Sequence, residues 1–342
     1  MDDRPSRRAT TPAPLRPRLA TFGYLGFVVL CWAFNWLVMK LVVPDIGPFS
    51  FAALRLVGAA ATIGLVLALK GERLRPAKGE VWPLAWTGFL QIGCLFSLNM
   101  LGLQFVPPGR ASVLVYTMPL WAIVFGVWLA RERPGRRKLW GGLVGLLGLV
   151  IFFDPRLVDW HDARVLFGNA MLLLSALLWA LGAVLYRRRR WQSQFWPQIL
   201  WQLSGAAVPV SIIAFVLENG RPIRWTAVLI AALVYNWLIG TGLAYWCWAK
   251  VLTEVSAATA GQAVMLVPVL AFLLSATIFG EAVTPQVLVS VGLILLGLYS
   301  PCRRPSGGDI RQCAPAWQQL REICRCAPGA PMGKRAARGV GA

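Results

Sequence analysis

Apolar residues in this chain come in nearly unbroken runs, and the polar residues between them are confined to short stretches rich in Arg, Gly and Pro. A helix needs about 20 mostly apolar residues to cross a hydrocarbon core roughly 30 Å thick. Runs of that kind fall at Phe22–Val43, Pro48–Leu69, Val81–Leu103, Ala111–Ala130 and Leu139–Phe153. They recur at Val165–Tyr186, Phe195–Leu217, Trp225–Ala249, Ala257–Phe279 and Pro285–Tyr299. The fifth and tenth are short, which leaves them little room to tilt. A β-barrel would alternate apolar and polar residues in short strands; a stretch such as GGLVGLLGLVIFF does not alternate. The pattern predicts ten transmembrane helices.

The pattern is also written twice. YTMPLWAIVFGVWLARE, Tyr116 to Glu132, matches MLVPVLAFLLSATIFGE, Met265 to Glu281, with proline and acid in the same register. CWA at Cys31–Ala33 matches LWA at Leu178–Ala180. The offset is 147 residues at the tryptophans and 149 at the prolines. Five helices is an odd number, so the second copy enters the membrane from the opposite face. Inverted repeats of this kind are a recurring plan of secondary transporters, in which similar halves exchange conformations. The expected fold is an all-α polytopic membrane protein with ten transmembrane helices as two inverted five-helix repeats, residues 22–153 and 165–300. Residues 1–21 and 301–342 are expected to be basic, mostly disordered and cytoplasmic.

Composition supports this reading. Of 342 residues 57% are hydrophobic and only 14% charged, against about a quarter charged in soluble domains. The net charge of +20 would suit a nucleic-acid binder if the charge lay along a folded polar surface. It lies instead in loops and tails. With the N-terminus inside, 27 of the 34 lysines and arginines fall in inner segments, among them the run Arg187–Arg190. Six fall outside, and Arg55 lies within a span. Lys and Arg accumulate on the cytoplasmic side, so both termini are expected there, the bilayer is the partner, and no nucleic acid is. The polar, proline-rich N-terminus shows no cleavable signal peptide. Cys302, Cys313, Cys324 and Cys326 lack the paired spacing of a zinc site, so neither metal nor cofactor is expected.

Candidate chemistry lies within the spans. Trp32, Asn35, Trp36 and Met39 share one helix face at i, i+3, i+4 and i+7. Lipid offers an asparagine nothing, so that face is expected to look inward. Gly88, Gln91 and Asn99 lie roughly along one face of the third span. The fourth brings together Ser112, Tyr116 and Pro119, whose counterparts are Gly261, Met265 and Pro268, and the eighth offers Tyr235, Asn236 and Trp246. Aromatic rings with a few amides suit a small amphiphilic substrate. The alternative for each amide is a bond to a neighbouring helix. Trp82, Trp140, Trp191, Trp196 and Trp225, near helix ends, read as interfacial anchors.

Arg55 either faces the pathway, where it could pair with a substrate carboxylate, or snorkels to the surface. Pro119 and Pro268 each remove a helical hydrogen bond, at about 3 kcal/mol in a soluble helix, and stand as paired hinges or as packing kinks. Glu132 and Glu281 end their helices at opposite faces, where ion pairing explains them. No Asp or Glu falls mid-span, so the usual proton-relay carboxylate is missing.

Taken in order, WAFNWLVMK, PFSFAALR, VPPGRASVLVYTMPLWAIVFGVWLARE, LLWALGAVLYRR and SAATAGQAVMLVPVLAFLLSATIFGE resemble the EamA family of the drug/metabolite transporter superfamily. The resemblance covers residues 22–300. It implies a ten-helix secondary transporter in a prokaryotic plasma membrane, often an exporter of amino acids or other small metabolites. It does not fix the substrate, and a homodimer is one open assembly.

Three rival functions would fit parts of this sequence. A flippase for a lipid or lipid-linked sugar would use the same fold. An integral-membrane enzyme would need a second cluster beside the loop residues Asp154, Asp159, His161 and Asp162, and the sequence supplies none. A scaffold would rest on the cysteine-bearing tail.

Overall fold

The structure, a computed structural model, describes residues 19–131, 136–152, 161–254, 263–281 and 283–298. Glu132, Asp154, Asp159, Gly261, the N-terminal segment and the cysteine-bearing tail lie outside the described residues. The described regular structure is helical. In chain order the helices are α1 (Leu19–Val42), α2 (Pro48–Leu69), α3 (Val81–Gly102), α4 (Pro108–Ala130) and α5 (Arg136–Phe152). They continue with α6 (Ala163–Arg188), α7 (Phe195–Glu218), α8 (Ala227–Val251), α9 (Leu266–Phe279) and α10 (Pro285–Leu298). Among the described residues seven helices are long and apolar enough to cross a membrane, and α9 and α10 are shorter apolar helices.

Helix ends follow local chemistry. Pro48 and Pro108 open α2 and α4, where the missing N–H costs nothing. This moves the start of α4 ahead of the Ala111 expected from hydropathy. Asp162 caps α6 by accepting the Arg164 amide at 2.8 Å, and Thr226 caps α8 by accepting from Leu229 at 3.1 Å. Both α4 and α9 end on a left-handed residue, Arg131 at φ 51° and Gly280 at φ 67°, which are 149 residues apart.

Burial is inverted relative to a soluble protein. Along α7, Gln198 and Gln202 are buried at 1% and 5% exposure, while Val208 and Phe215 are 63% and 70% exposed. Polar atoms gather where another helix can satisfy them, and the apolar exterior suits lipid. Trp82, Trp140 and Trp225 are exposed near helix ends, as interfacial anchors are. Trp191 instead stacks on Tyr186 at 5.0 Å.

The larger helix contacts recur in the two halves. Helix α1 packs on α8 and α9, and α6 packs on α3 and α4; α2 packs on α7, α5 on α10 and α4 on α9. Each of these contacts has a counterpart five helices on, or is its own counterpart, whereas the contact of α2 with α3 has none of similar extent between α7 and α8. Close crossings need glycine: a Cβ on Gly88 would lie 2.3 Å from the Gln202 carbonyl oxygen, and one on Gly205 2.3 Å from the Ala85 Cα.

Two pairs of irregularities also match across the halves. Helix α4 breaks at Tyr116–Thr117 and resumes at Met118, while α9 resumes at Leu266 after a turn at Met265. The breaks lie ahead of Pro119 and Pro268, because a proline disturbs the turn before it. Each proline thus sits in the first turn of a new segment. Thr117 eases the break, its hydroxyl donating to the Leu114 carbonyl at 2.6 Å and accepting the Trp121 indole N–H at 3.3 Å. Helices α3 and α8 each contain a widened π-helical segment, Phe89–Gly93 and Tyr235–Leu243. Such segments cluster at functional positions.

Candidate functional site

Several polar groups buried between the helices are left partly unsatisfied by the protein itself. Asn35 Oδ1, Arg55 Nε, Ser97 Oγ, Asn169 Nδ2 and Oδ1, Asn236 Oδ1, Thr241 Oγ1 and Ser275 Oγ are buried and find no hydrogen-bond partner among the described residues. An unmade buried bond costs about 1–3 kcal/mol, so each of these atoms could take a further partner.

Arg55, on α2, is the strongest of these. It is 5% exposed and does not snorkel. Its Nη1 donates to the Met39 sulfur at 3.3 Å, and its guanidinium lies 3.6 Å from the Phe96 ring centroid. A thioether is a weak acceptor and the ring gives a cation–π contact. Neither neutralises the charge, and no carboxylate pairs with it among the described residues. Asn35, one turn before Met39 on α1, donates to the same sulfur at 3.6 Å. Asn35 of α1 and Arg55 of α2 thus both donate to the Met39 sulfur.

An aromatic wall extends along α1. Trp32 meets Tyr245 at 6.1 Å and Trp248 at 5.8 Å between ring centroids. Tyr235 donates its hydroxyl to the Cys31 carbonyl at 2.8 Å. Trp36 is buried in the main apolar cluster beside Met39 and Tyr116. Trp32, Asn35, Trp36, Met39 and Arg55 are therefore brought into one region formed by α1, α2 and α8.

The other expected residues separate. Asn99 accepts from Ser175 Oγ of α6 at 2.7 Å, a bond between neighbouring helices. Gln91 stands where α3 passes Gly182 of α6, its Cβ 3.1 Å from where a Cβ on that glycine would be. Asn236 is fully buried and its Nδ2 donates to the Ala232 carbonyl at 2.8 Å, leaving its oxygen open. Tyr116 is buried at the α4 break and Met265 lies at the α9 turn. Ser112 turns back onto the Gly109 carbonyl at 2.7 Å. Trp246 faces away from the cluster, 37% exposed and edge-on to Tyr24 at 5.6 Å. Sequence reading missed Phe96, Ser97, Thr241, Tyr245 and Trp248. Among the described residues no group of three His, Cys, Asp or Glu is placed to hold a metal, and Cys31, Cys94 and Cys247 are free thiols.

Comparison with known proteins places this geometry in context. The model of the EamA-like transporter family matches twice, over residues 21–153 and 166–300. The uncharacterized transporter YoaV of Bacillus subtilis is 29% identical over 272 residues, covering 80% of this chain and 93% of that protein. A probable amino-acid metabolite efflux pump of Salmonella typhimurium is 24% identical over 287 residues, 81% of this chain and 93% of that one. A protein crystal structure at 18% identity superposes with a TM-score of 0.57, over 82% of this chain and 97% of its own, which is a likeness of fold.

Proposed function

The chain belongs to the EamA-like transporter family, and from that premise we propose that it exports a small carboxylate-bearing metabolite, an amino acid or similar amphiphile, by alternating access. Two inverted five-helix halves, 22–153 and 165–300, rock about the central site. The helix contacts that recur five helices on support that reading, as do the paired breaks and paired π segments. The lysine and arginine bias supports cytoplasmic termini, in a prokaryotic plasma membrane.

Buried, unneutralised Arg55 is the observation on which the substrate class rests. Centring an arginine in a membrane costs roughly 2.5–3.5 kcal/mol on insertion scales. A substrate carboxylate would supply the bidentate acceptor that Met39 is not. Trp32, Trp36, Tyr245 and Trp248 would face its apolar part, and Asn35 and Asn236 keep free amide oxygens for an ammonium or hydroxyl group. Two relatives named as probable amino-acid metabolite efflux pumps, from Salmonella typhimurium and Escherichia coli, favour the same class.

The test is untargeted mass spectrometry of the medium from cells overexpressing the protein, the Arg55→Ala, Trp36→Ala double variant at equal abundance, or neither. The expected result is a carboxylate-bearing metabolite enriched outside only with the wild type. Equal profiles in all three would refute export.

A further inference from the structure

The connection from α3 to α4, residues 103–110, is held at both ends by charges from other helices. It lies at the end of the bundle away from the Arg187–Arg190 run. Lys40, near the end of α1, donates through Nζ to the carbonyls of Leu103 at 2.5 Å and Val106 at 3.4 Å. Glu281, just past α9, accepts the amides of Gly109 at 3.0 Å and Arg110 at 2.8 Å. The cation meets the negative C-terminal end of α3 and the anion the positive start of α4, so each charge opposes a helix dipole and takes up backbone groups the helices leave over. Gly109 permits the approach: a Cβ there would lie 2.4 Å from Glu281 Oε2 and 2.9 Å from the Phe272 Cα.

Lys40 and the 103–110 connection belong to the first half of the chain and Glu281 to the second, so the Glu281 contact crosses between halves. What it joins is specific. The α4 segment Pro108–Val115 runs from this end to the break at Tyr116–Thr117, and Leu266–Phe279 runs from the Met265 turn to the same end. These segments pack on one another, and Glu281 fastens the tip of one to the tip of the other. At each break the regular helix is interrupted, at Tyr116–Thr117 in α4 and at Met265 ahead of α9. Two hinged arms tied at their tips make a closed gate with a latch.

We infer that Glu281, clasping the Gly109 and Arg110 amides while Lys40 steadies the same connection, is the latch of the gate at this end. Its release lets Pro108–Val115 and Leu266–Phe279 part about their breaks. This rests on the alternating-access reading, and under the proposed orientation the gate is the extracellular one. The opposite end has its own carboxylate tie: Glu80 accepts the amides of Gln192 at 2.6 Å and Ser193 at 3.2 Å, and the Ser193 hydroxyl. That tie joins the α2–α3 connection to the α6–α7 connection and spans no break, so it serves as the control.

The test is hydrogen–deuterium exchange by mass spectrometry on the full chain in lipid nanodiscs without substrate, with the thermal midpoint of each variant measured alongside. The Glu281→Ala, Lys40→Met double variant should exchange at least fivefold faster through residues 103–115 and 266–272. Residues 74–80 and 189–198 should stay as in the wild type, and the midpoint should hold within a few degrees. Gly109→Ala, which keeps both charges but forces the contact apart, should give the same pattern. Glu80→Ala should leave residues 103–115 and 266–272 unchanged. Faster exchange confined to the Gly109 and Arg110 amides would make Glu281 a helix cap only and overturn the inference. A rise across the whole protein with a falling midpoint would overturn it too, as a purely structural contact. No substrate enters the measurement, so failure here is distinct from failure to find an exported metabolite.

Discussion

The Arg55 guanidinium of α2 donates to the Met39 sulfur of α1 at 3.3 Å, and Asn35 donates to that same atom. A buried cation is thus held in place by an acceptor too weak to satisfy it. Met39 positions the charge without neutralising it, which under the proposed function leaves it available to substrate.

If so, a stronger acceptor at this position should compete with substrate. Met39→Gln offers an amide oxygen, and a hydrogen bond to a charged group is worth about 1.5–3 kcal/mol. The apparent affinity for the exported metabolite is expected to fall on the order of tenfold with the maximal rate little changed. Met39→Leu, which offers no acceptor, should not weaken affinity in this way. Concentration-dependent transport in proteoliposomes separates the two.

Removing the charge should separate stability from transport. Arg55→Met fills similar volume without an unneutralised cation, so the fold is expected to gain on the order of 1–3 kcal/mol while transport is lost. Thermal unfolding in detergent beside an efflux assay tests this; a destabilised variant would make Arg55 a structural residue.

Asn99 and Ser175 should behave in the opposite way. Their 2.7 Å bond links α3 to α6, and bonds of this kind contribute about 0.6–2 kcal/mol. Asn99→Ala is expected to lower the thermal midpoint by a few degrees and to leave substrate affinity unchanged.

The paired breaks predict a turnover effect. Pro119→Ala restores an N–H and favours continuous helix through Tyr116–Thr117, and Pro268→Ala does the same ahead of α9. Each is expected to slow transport severalfold without altering substrate affinity, as judged by transport rate against equilibrium binding.

Arg131 ends α4 at φ 51° where its counterpart at the end of α9 is Gly280 at φ 67°. A non-glycine residue in that region costs roughly 1–2 kcal/mol. Arg131→Gly should therefore raise stability by about 1 kcal/mol, visible as a higher midpoint of thermal unfolding.

The helical bundle was legible in the sequence because apolar runs of spanning length have few alternatives, and Arg55 was legible as the one basic residue inside them. The face from Trp32 to Met39 was also legible, since α1 runs unbroken and keeps its 3.6-residue period. Prediction failed where the period changes. The π segment Tyr235–Leu243 adds residues to each turn and rotates everything after it. Trp246 was offered from the eighth span, while the structure turns Tyr245 and Trp248 toward Trp32. The shorter π segment Phe89–Gly93 likewise breaks the phase between Gly88 and Asn99, which do not share a face. The helix irregularities were expected at Pro119 and Pro268, as hinges or packing kinks, and the breaks fall ahead of them, because the lost hydrogen bond and the steric clash both act on the preceding turn. The ties made by Glu80, Glu218 and Glu281 could not be read from sequence, since their partners are backbone amides, 112, 168 and 171 positions away for Gln192, Ser50 and Arg110 respectively.

The most direct measurement of the central claim compares the exported metabolite with its neutral amide as competitors for uptake into proteoliposomes. The wild type should prefer the free carboxylate by tenfold or more, and Arg55→Gln should bind both alike. A wild type indifferent to the carboxylate, or an Arg55→Gln variant that keeps the preference, would contradict the assignment of Arg55 as the substrate's counter-ion.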